Sequence, residues 1–176
     1  MNPEQVIDEQ ALLVVDEEGD VVGTSQEIAD RDLAPPRYRV HGVSRPGGHG
    51  HIRCNTTDLK VDTGSISDGS RPGPAELLCA SLAACLLKNI ERYSELLPFE
   101  YQVAAIEVEA DRQNAPPRMI RLQYRIEIVT DEPQPRVDLL HRNIRKFGTI
   151  TNTLAAACDL TGEMVARRPP EQTGKR

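Results

Sequence analysis

The sequence has no tryptophan and only two phenylalanines in 176 residues. That excludes a core built on stacked aromatics and leaves burial to Leu, Ile, Val and Ala. No apolar run is long enough to span a bilayer, so a membrane partner is not expected. The cysteines are few and scattered: Cys54, Cys79, Cys85 and Cys158 show no C-x-x-C spacing, which argues against a structural metal site. Only the HGH triplet at 49–51 has chelating character, and no third ligand stands near it in sequence, so neither a metal nor another cofactor is expected. Positive charge is also short. A net charge of −6 argues against nucleic-acid phosphate as a partner. The opening MNPEQVIDEQ is acidic and polar, unlike a signal peptide. Together with unpaired thiols, this gives the expectation of a cytoplasmic protein with reduced cysteines.

What is present centres on residues 72–93, PGPAELLCASLAACLLKNIERY. From Leu77 to Ala84 there is no charge, Pro or Gly, and Leu77, Leu78, Cys79, Leu82, Leu86, Leu87 and Ile90 point around nearly the whole helical wheel. Such a helix is expected to be buried on all sides in its first half. Pro74 suits a first helical turn, and Glu76 follows near the positive end of the helix dipole. Cys79 and Cys85 are six residues apart, about 240° around the axis, so they are not an intrahelical disulfide pair.

Around this helix the chain divides into an extension (1–36), a domain (37–166) and a tail (167–176). In the extension, residues 11–16 and 21–25 flank EEGD and suggest a short hairpin. Alternation predicts strands at 38–44, 49–54 and 59–62. The Gly/Ser/Asp-rich stretch 63–74 is a long loop of the kind that often carries function. Residues 101–112 and 118–130 alternate more strongly and should pair as a hairpin, with Ile120, Leu122, Tyr124, Ile126 and Ile128 on one side. Residues 134–147 read as an amphipathic helix stopped by Gly148, and 149–157 as another helix begun by Thr149 or Thr151. Residues 158–165 suggest a last strand with Gly162 as a turn or bulge. This order predicts an α+β fold with antiparallel sheet. One small sheet cannot wrap a helix apolar all round, so a second copy of the chain is the expected cover.

A buried cysteine is by default inert. Cys85 differs from Cys79 in its neighbours. At helical spacing it faces Leu78, Ser81, Leu82, Lys88 and Asn89, and Lys88 could favour a thiolate. Cys79 has Glu76 at that spacing, which disfavours one.

The run P-x-E-L-L-x-A-x-L-A-A-C, here Pro74, Glu76, Leu77, Leu78, Ala80, Leu82, Ala83, Ala84 and Cys85, resembles the central-helix motif of the OsmC/Ohr family of osmotically inducible and organic hydroperoxide resistance proteins. The resemblance covers about residues 37–166. It implies an intertwined homodimer in which antiparallel sheets sandwich two long central helices, with active sites at the interface. It further implies that the helix cysteine reduces a hydroperoxide and becomes a sulfenic acid. A second cysteine then forms a disulfide with it, and an external dithiol restores both. An Arg from the N-terminal sheet, paired with a Glu, holds the first thiolate.

Carried onto this sequence, the resemblance makes Cys85 the reactive thiol. The stretch matching the second cysteine is G-T-I-T-N-T-L, so Gly148 stands at the resolving position and Thr149 beside it; Cys158 lies ten residues further on. The peroxidatic members' Glu position falls on Ala75, whereas Glu76 fits a P-x-E-L subgroup. For the Arg, Arg45, Arg53 and Arg71 all offer themselves. The expected site is therefore Cys85, Glu76 and Arg45 as catalytic groups, with Arg71, Gly148 and Thr149 lining the substrate pocket. The expected function is thiol-dependent hydroperoxide reduction without the usual second cysteine. The alternative is a protein of the same fold that binds a small apolar ligand at the dimer interface.

Overall fold

The computed structural model describes residues 35–170, together with the backbone of residues 13–15 and 21–24. Strands β1 (Leu13–Val15) and β2 (Val21–Thr24) pair antiparallel, the hairpin expected around EEGD. The outer residues of that expectation, and residues 171–176 of the tail, lie outside the described part.

Strands β3 (Val40–Arg45), β4 (His49–Cys54) and β5 (Thr57–Asp62) form an antiparallel meander. The register pairs Val43 with His51 and His51 with Lys60. Gly47 and Gly48 make the first turn at φ +101° and +83°, a region that glycine enters without penalty. Little of this sheet is covered. Val61 is its one buried apolar residue, while Val40 and Val43 are open to solvent.

Helix α1 (Pro74–Leu96) is the long central helix. Strands β6 (Val103–Asn114) and β7 (Pro117–Val129) form the predicted hairpin. Helices α2 (Gln134–Lys146) and α3 (Thr149–Ala155) follow, then strand β8 (Asp159–Arg167). All three helices pack on one face of the β6–β8 sheet, α1 against β6 and α2 and α3 against β8. The core is Leu82, Leu86, Ile90 and Tyr93 of α1, Leu122, Tyr124, Ile126 and Ile128 of β7, and Val137, Leu140 and Ile144 of α2.

The structure corrects several expectations. The sheet is not wholly antiparallel, because β8 runs parallel to β7. Two helices lie between them, and a crossover of that length returns the chain to the end where it started. Gly162 is neither turn nor bulge. It pairs with Tyr124 in regular register, and a Cβ there would stand 2.4 Å from the Tyr124 ring. The apolar face of β7 shifts at its start. A bulge at Asp111/Arg112 brings Met119 onto the core and leaves Ile120 exposed. Gly148 follows the α2 cap Phe147, but at φ −80° and ψ 118° it is extended rather than left-handed. It is the N-cap of α3, so neither Thr149 nor Thr151 caps that helix. The core is also less aliphatic than composition suggests, since Tyr93, Phe99 and Tyr124 are buried and Phe147 stacks on Tyr93 at 5.9 Å. Finally, α1 is not buried on all sides within one chain. Ala80, Ala84 and Leu87 form an exposed apolar stripe that neither sheet covers.

Candidate functional site

The helix that carries Cys85 begins at a well-made N-terminus. Gly73 is the N-cap, Pro74 occupies the first turn, and the Glu76 carboxylate accepts a hydrogen bond from the Gly73 N–H at 3.0 Å. That is half of a capping box, with the side chain reaching back to an orphan donor. Glu76 is thus engaged locally. Cys85 lies nine residues on, about 13.5 Å along the axis and half a turn round it, so the two do not meet within one helix.

Cys85 is half-buried, on the border between the buried stripe (Leu82, Leu86, Asn89) and the more open side that bears Ser81 and Lys88. Its sulfur is touched by Asn89. The buried Asn89 amide donates to the Cys85 carbonyl at 2.9 Å and to the sulfur at 3.5 Å. Lys88 is exposed and makes no ion pair among the described residues, so the donor at the sulfur is the neutral amide. Sequence spacing placed Asn89 beside Cys85. It could not distinguish an amide folded back on its own helix from one turned away.

The other thiols are placed differently. Burial pushes the Cys79 thiol up, and the Glu76 carboxylate pushes the same way. Burial also raises Cys158, with Asp159 adding to it, and its S–H donates to the Leu154 carbonyl at 3.3 Å. Cys54 ends β4, paired with Thr57 across a tight turn. All four cysteines are free.

The remaining candidates do not gather around Cys85 within one chain. Arg45 ends β3 beside a cavity of about 550 Å³, lined also by Gly48, Thr63, Ser65 and Ile66 but not by Cys85. Arg71 belongs to the loop before α1, which two carboxylates organise. Asp62 is held below the usual carboxylate range by hydrogen bonds from Ser67 and then the Gly64 N–H. Asp68 is held low by Ser70, and Arg71 adds a smaller attraction to both. Arg53 is committed elsewhere, donating to both oxygens of Asp58 at 3.0 and 2.7 Å.

Gly148 is buried, and the space around it is full. A Cβ there would meet the Thr151 hydroxyl oxygen at 2.6 Å and the Ile144 carbonyl at 3.0 Å. Thr149 is exposed on the first turn of α3. His49 and His51 are exposed on β4, and among the described residues no three His, Cys, Asp or Glu side chains come together as a metal site. No described helix is long and apolar enough to cross a membrane.

A family profile described as "OsmC-like protein" matches residues 67–163. Solved structures of similar fold include an OsmC-like protein from Mycoplasma pneumoniae, 14% identical, TM-score 0.70, covering 76% of this chain and 99% of that one. Another is the organic hydroperoxide resistance protein OsmC from Legionella pneumophila, 16% identical, TM-score 0.58, with coverage of 74% and 98%. A third is the organic hydroperoxide resistance protein OhrB of Bacillus subtilis, 15% identical, TM-score 0.56, with coverage of 73% and 98%. A search of curated proteins finds no match.

Proposed function

The chain belongs to the OsmC-like protein family, and from that premise we propose that it is a thiol-dependent hydroperoxide-reducing protein whose one reactive sulfur is Cys85. The observation that carries this reading is the Asn89 amide at the Cys85 sulfur, 3.5 Å away. The contact sets a hydrogen-bond donor against the sulfur that would attack the peroxide. Cys79 and Cys158 have burial and a carboxylate working against a thiolate.

In the proposed reaction the Cys85 thiolate attacks the outer peroxide oxygen. The O–O bond breaks, the alcohol leaves with a proton, and Cys85 becomes a sulfenic acid. An external thiol condenses with it, releasing water and forming a mixed disulfide. A second thiol displaces Cys85 and carries away the new disulfide. External thiol is needed because the residue at the resolving position is Gly148, with no side chain.

The same reading assigns a homodimer. The exposed stripe of Ala80, Ala84 and Leu87 and the Val40, Ile52 and Leu59 face of the β3–β5 sheet both call for cover, which a second copy would provide. Arg71 and Glu76 would enter the Cys85 site only across that interface, with Thr149 near the pocket, while Arg45 stands on the opposite face of its sheet. A dimer of this kind buries more than about 2,000 Å². A monomer at micromolar concentration in sedimentation would remove the premise for a shared site.

The test is hydroperoxide consumption with a dithiol or monothiol reductant. Cys85→Ser should abolish turnover, while Cys54→Ser and Cys158→Ser should retain it. The engagement of Glu76 in the helix cap favours a second reading, a binder of small apolar molecules at the same interface. Cys85 left unmodified under excess peroxide, by intact-protein mass, would make that second reading the better one.

A further inference from the structure

The two sheets present very different outer faces. On the outer face of the β6–β8 sheet Arg121 pairs with Asp111, Arg125 with Glu163, and Arg167 with Glu127, and Glu107, Glu109 and Asp159 are exposed besides. The β3–β5 sheet tips the other way, with three cations, Arg45, Arg53 and Lys60, against two carboxylates, Asp58 and Asp62. Strand alternation and register set His41 and Arg45 of β3, His49, His51 and Arg53 of β4, and Lys60 of β5 on one exposed face. Val43, Arg45, His49, His51, Arg53 and Asp58 line one shallow concavity there. Three of the chain's four histidines stand on this face. Its carboxylates are Asp58, already paired with Arg53, and Asp62, which accepts from the Gly64 N–H at 2.8 Å. Arg45 and Lys60 make no ion pair among the described residues.

The charge that complements this face is in the same chain. Residues 1–34 contain ten carboxylates and one cation, Arg31, a net −9 that leaves +3 on the rest of a chain whose total is −6. Four of the ten, Asp16, Glu17, Glu18 and Asp20, fall in the five residues between β1 and β2. The extension joins the sheet directly, since residues 35–39 run into β3 at Val40. Five extended residues reach about 17 Å, close to the length of the six-residue strands. A tether that short gives effective concentrations in the millimolar range, so even a weak attraction is populated.

We propose that the outer face of the β3–β5 sheet is the docking surface for the chain's own acidic N-terminal residues 1–34. The attraction is between carboxylates and exposed cations, so salt weakens it. The groups facing the segment are His41, Arg45, His49, His51, Arg53 and Lys60 in favour, with Asp58 and Asp62 opposed.

The experiment is zero-length carbodiimide crosslinking of the full chain, read by peptide mass spectrometry. Lys60 should form amides with carboxylates of residues 1–34, in much higher yield than Lys88. The yield should fall several-fold in 0.5 M salt, about where the screening length drops to a few ångströms. Mixing isotope-labelled with unlabelled protein separates crosslinks within a chain from those between copies. Links found only between copies would overturn the proposal in favour of a second copy as occupant. Equal yields at Lys60 and Lys88, or no link from Lys60 to residues 1–34, would overturn it outright.

Discussion

The Asn89 side-chain amide holds Cys85 at two points, its carbonyl at 2.9 Å and its sulfur at 3.5 Å. The carbonyl contact is spare, because the helix already supplies that acceptor with a backbone donor. The sulfur contact is the one with chemical consequence. Asn89→Leu keeps the branched outline and removes the donor, at the cost of a larger side chain in a buried position. Alkylation of Cys85 by iodoacetamide at pH 7 should slow by up to about tenfold, the equivalent of about 1.4 kcal/mol. A rate equal to wild type would remove Asn89 from the chemistry.

A second thiol cannot simply be added where the family resemblance puts it. Gly148→Cys drives a Cβ to 2.6 Å from the Thr151 hydroxyl and 3.0 Å from the Ile144 carbonyl. Overpacking of this kind costs about 1–3 kcal/mol. The double variant Gly148→Cys/Thr151→Ala removes the nearer obstacle and should recover most of that loss. If the proposed alignment holds, only the double variant should form a high-yield disulfide with Cys85 after peroxide treatment, scored by non-reducing peptide mapping. Efficient disulfide formation in the single variant would mean that Thr151 yields easily.

Most of the architecture was legible because its signals are local. The uncharged run from Leu77 to Ala84, the alternation of β7 and the Pro/Gly at the helix start each have one physical reading. What was not legible depended on partners distant in sequence. The parallel direction of β8 follows from where α2 and α3 send the chain. Gly162 looked like a breaker because its reason for being glycine, the ring of Tyr124, is 38 residues away. The site divides in the same way. Cys85 stood out through its helical neighbours. The expected role for Lys88 did not survive, since an exposed ammonium gains more from water than from a half-buried sulfur. Arg45 and Glu76 stay apart from Cys85 because each is set by its own strand end or helix cap.

Thr151 offers a stability test. Its hydroxyl is buried and has no hydrogen-bond partner. An unsatisfied buried hydroxyl costs about 1–3 kcal/mol relative to an apolar group of the same shape. Thr151→Val retains the shape, so it should raise the thermal midpoint by about 2–4 °C for each kcal/mol recovered. A lower midpoint would mean that the hydroxyl is satisfied by water.

Gly162 should tolerate no side chain. The ring of Tyr124 occupies the volume a Cβ needs, at 2.4 Å, and that ring is tied through its hydroxyl to His141. Gly162→Ala should lose several kcal/mol by denaturant titration. Pairing it with Tyr124→Leu should restore part of the loss, because the smaller side chain vacates the site.

The Tyr124–His141 contact also sets a pH dependence. Burial pushes the Tyr124 phenol up to about 12, so it remains protonated, and its hydroxyl shares a hydrogen bond with His141 Nε2 at 2.8 Å in a direction set by the imidazole tautomer. The His141 pKa is lowered, first by burial and then by the Arg145 charge, with Asp138 and Glu163 opposing weakly. A histidine whose folded pKa lies below its unfolded value binds fewer protons when folded. Its stabilising contribution is therefore intact above the unfolded value of about 6.5 and is lost as pH falls from there toward the lower folded pKa. His141→Gln can keep a hydrogen bond with the Tyr124 hydroxyl but does not titrate. Stability measured by urea unfolding from pH 8 to pH 5 should fall in the wild type and fall less in His141→Gln. Parallel curves for the two proteins would show that the loss comes from other groups and that folding does not lower the His141 pKa.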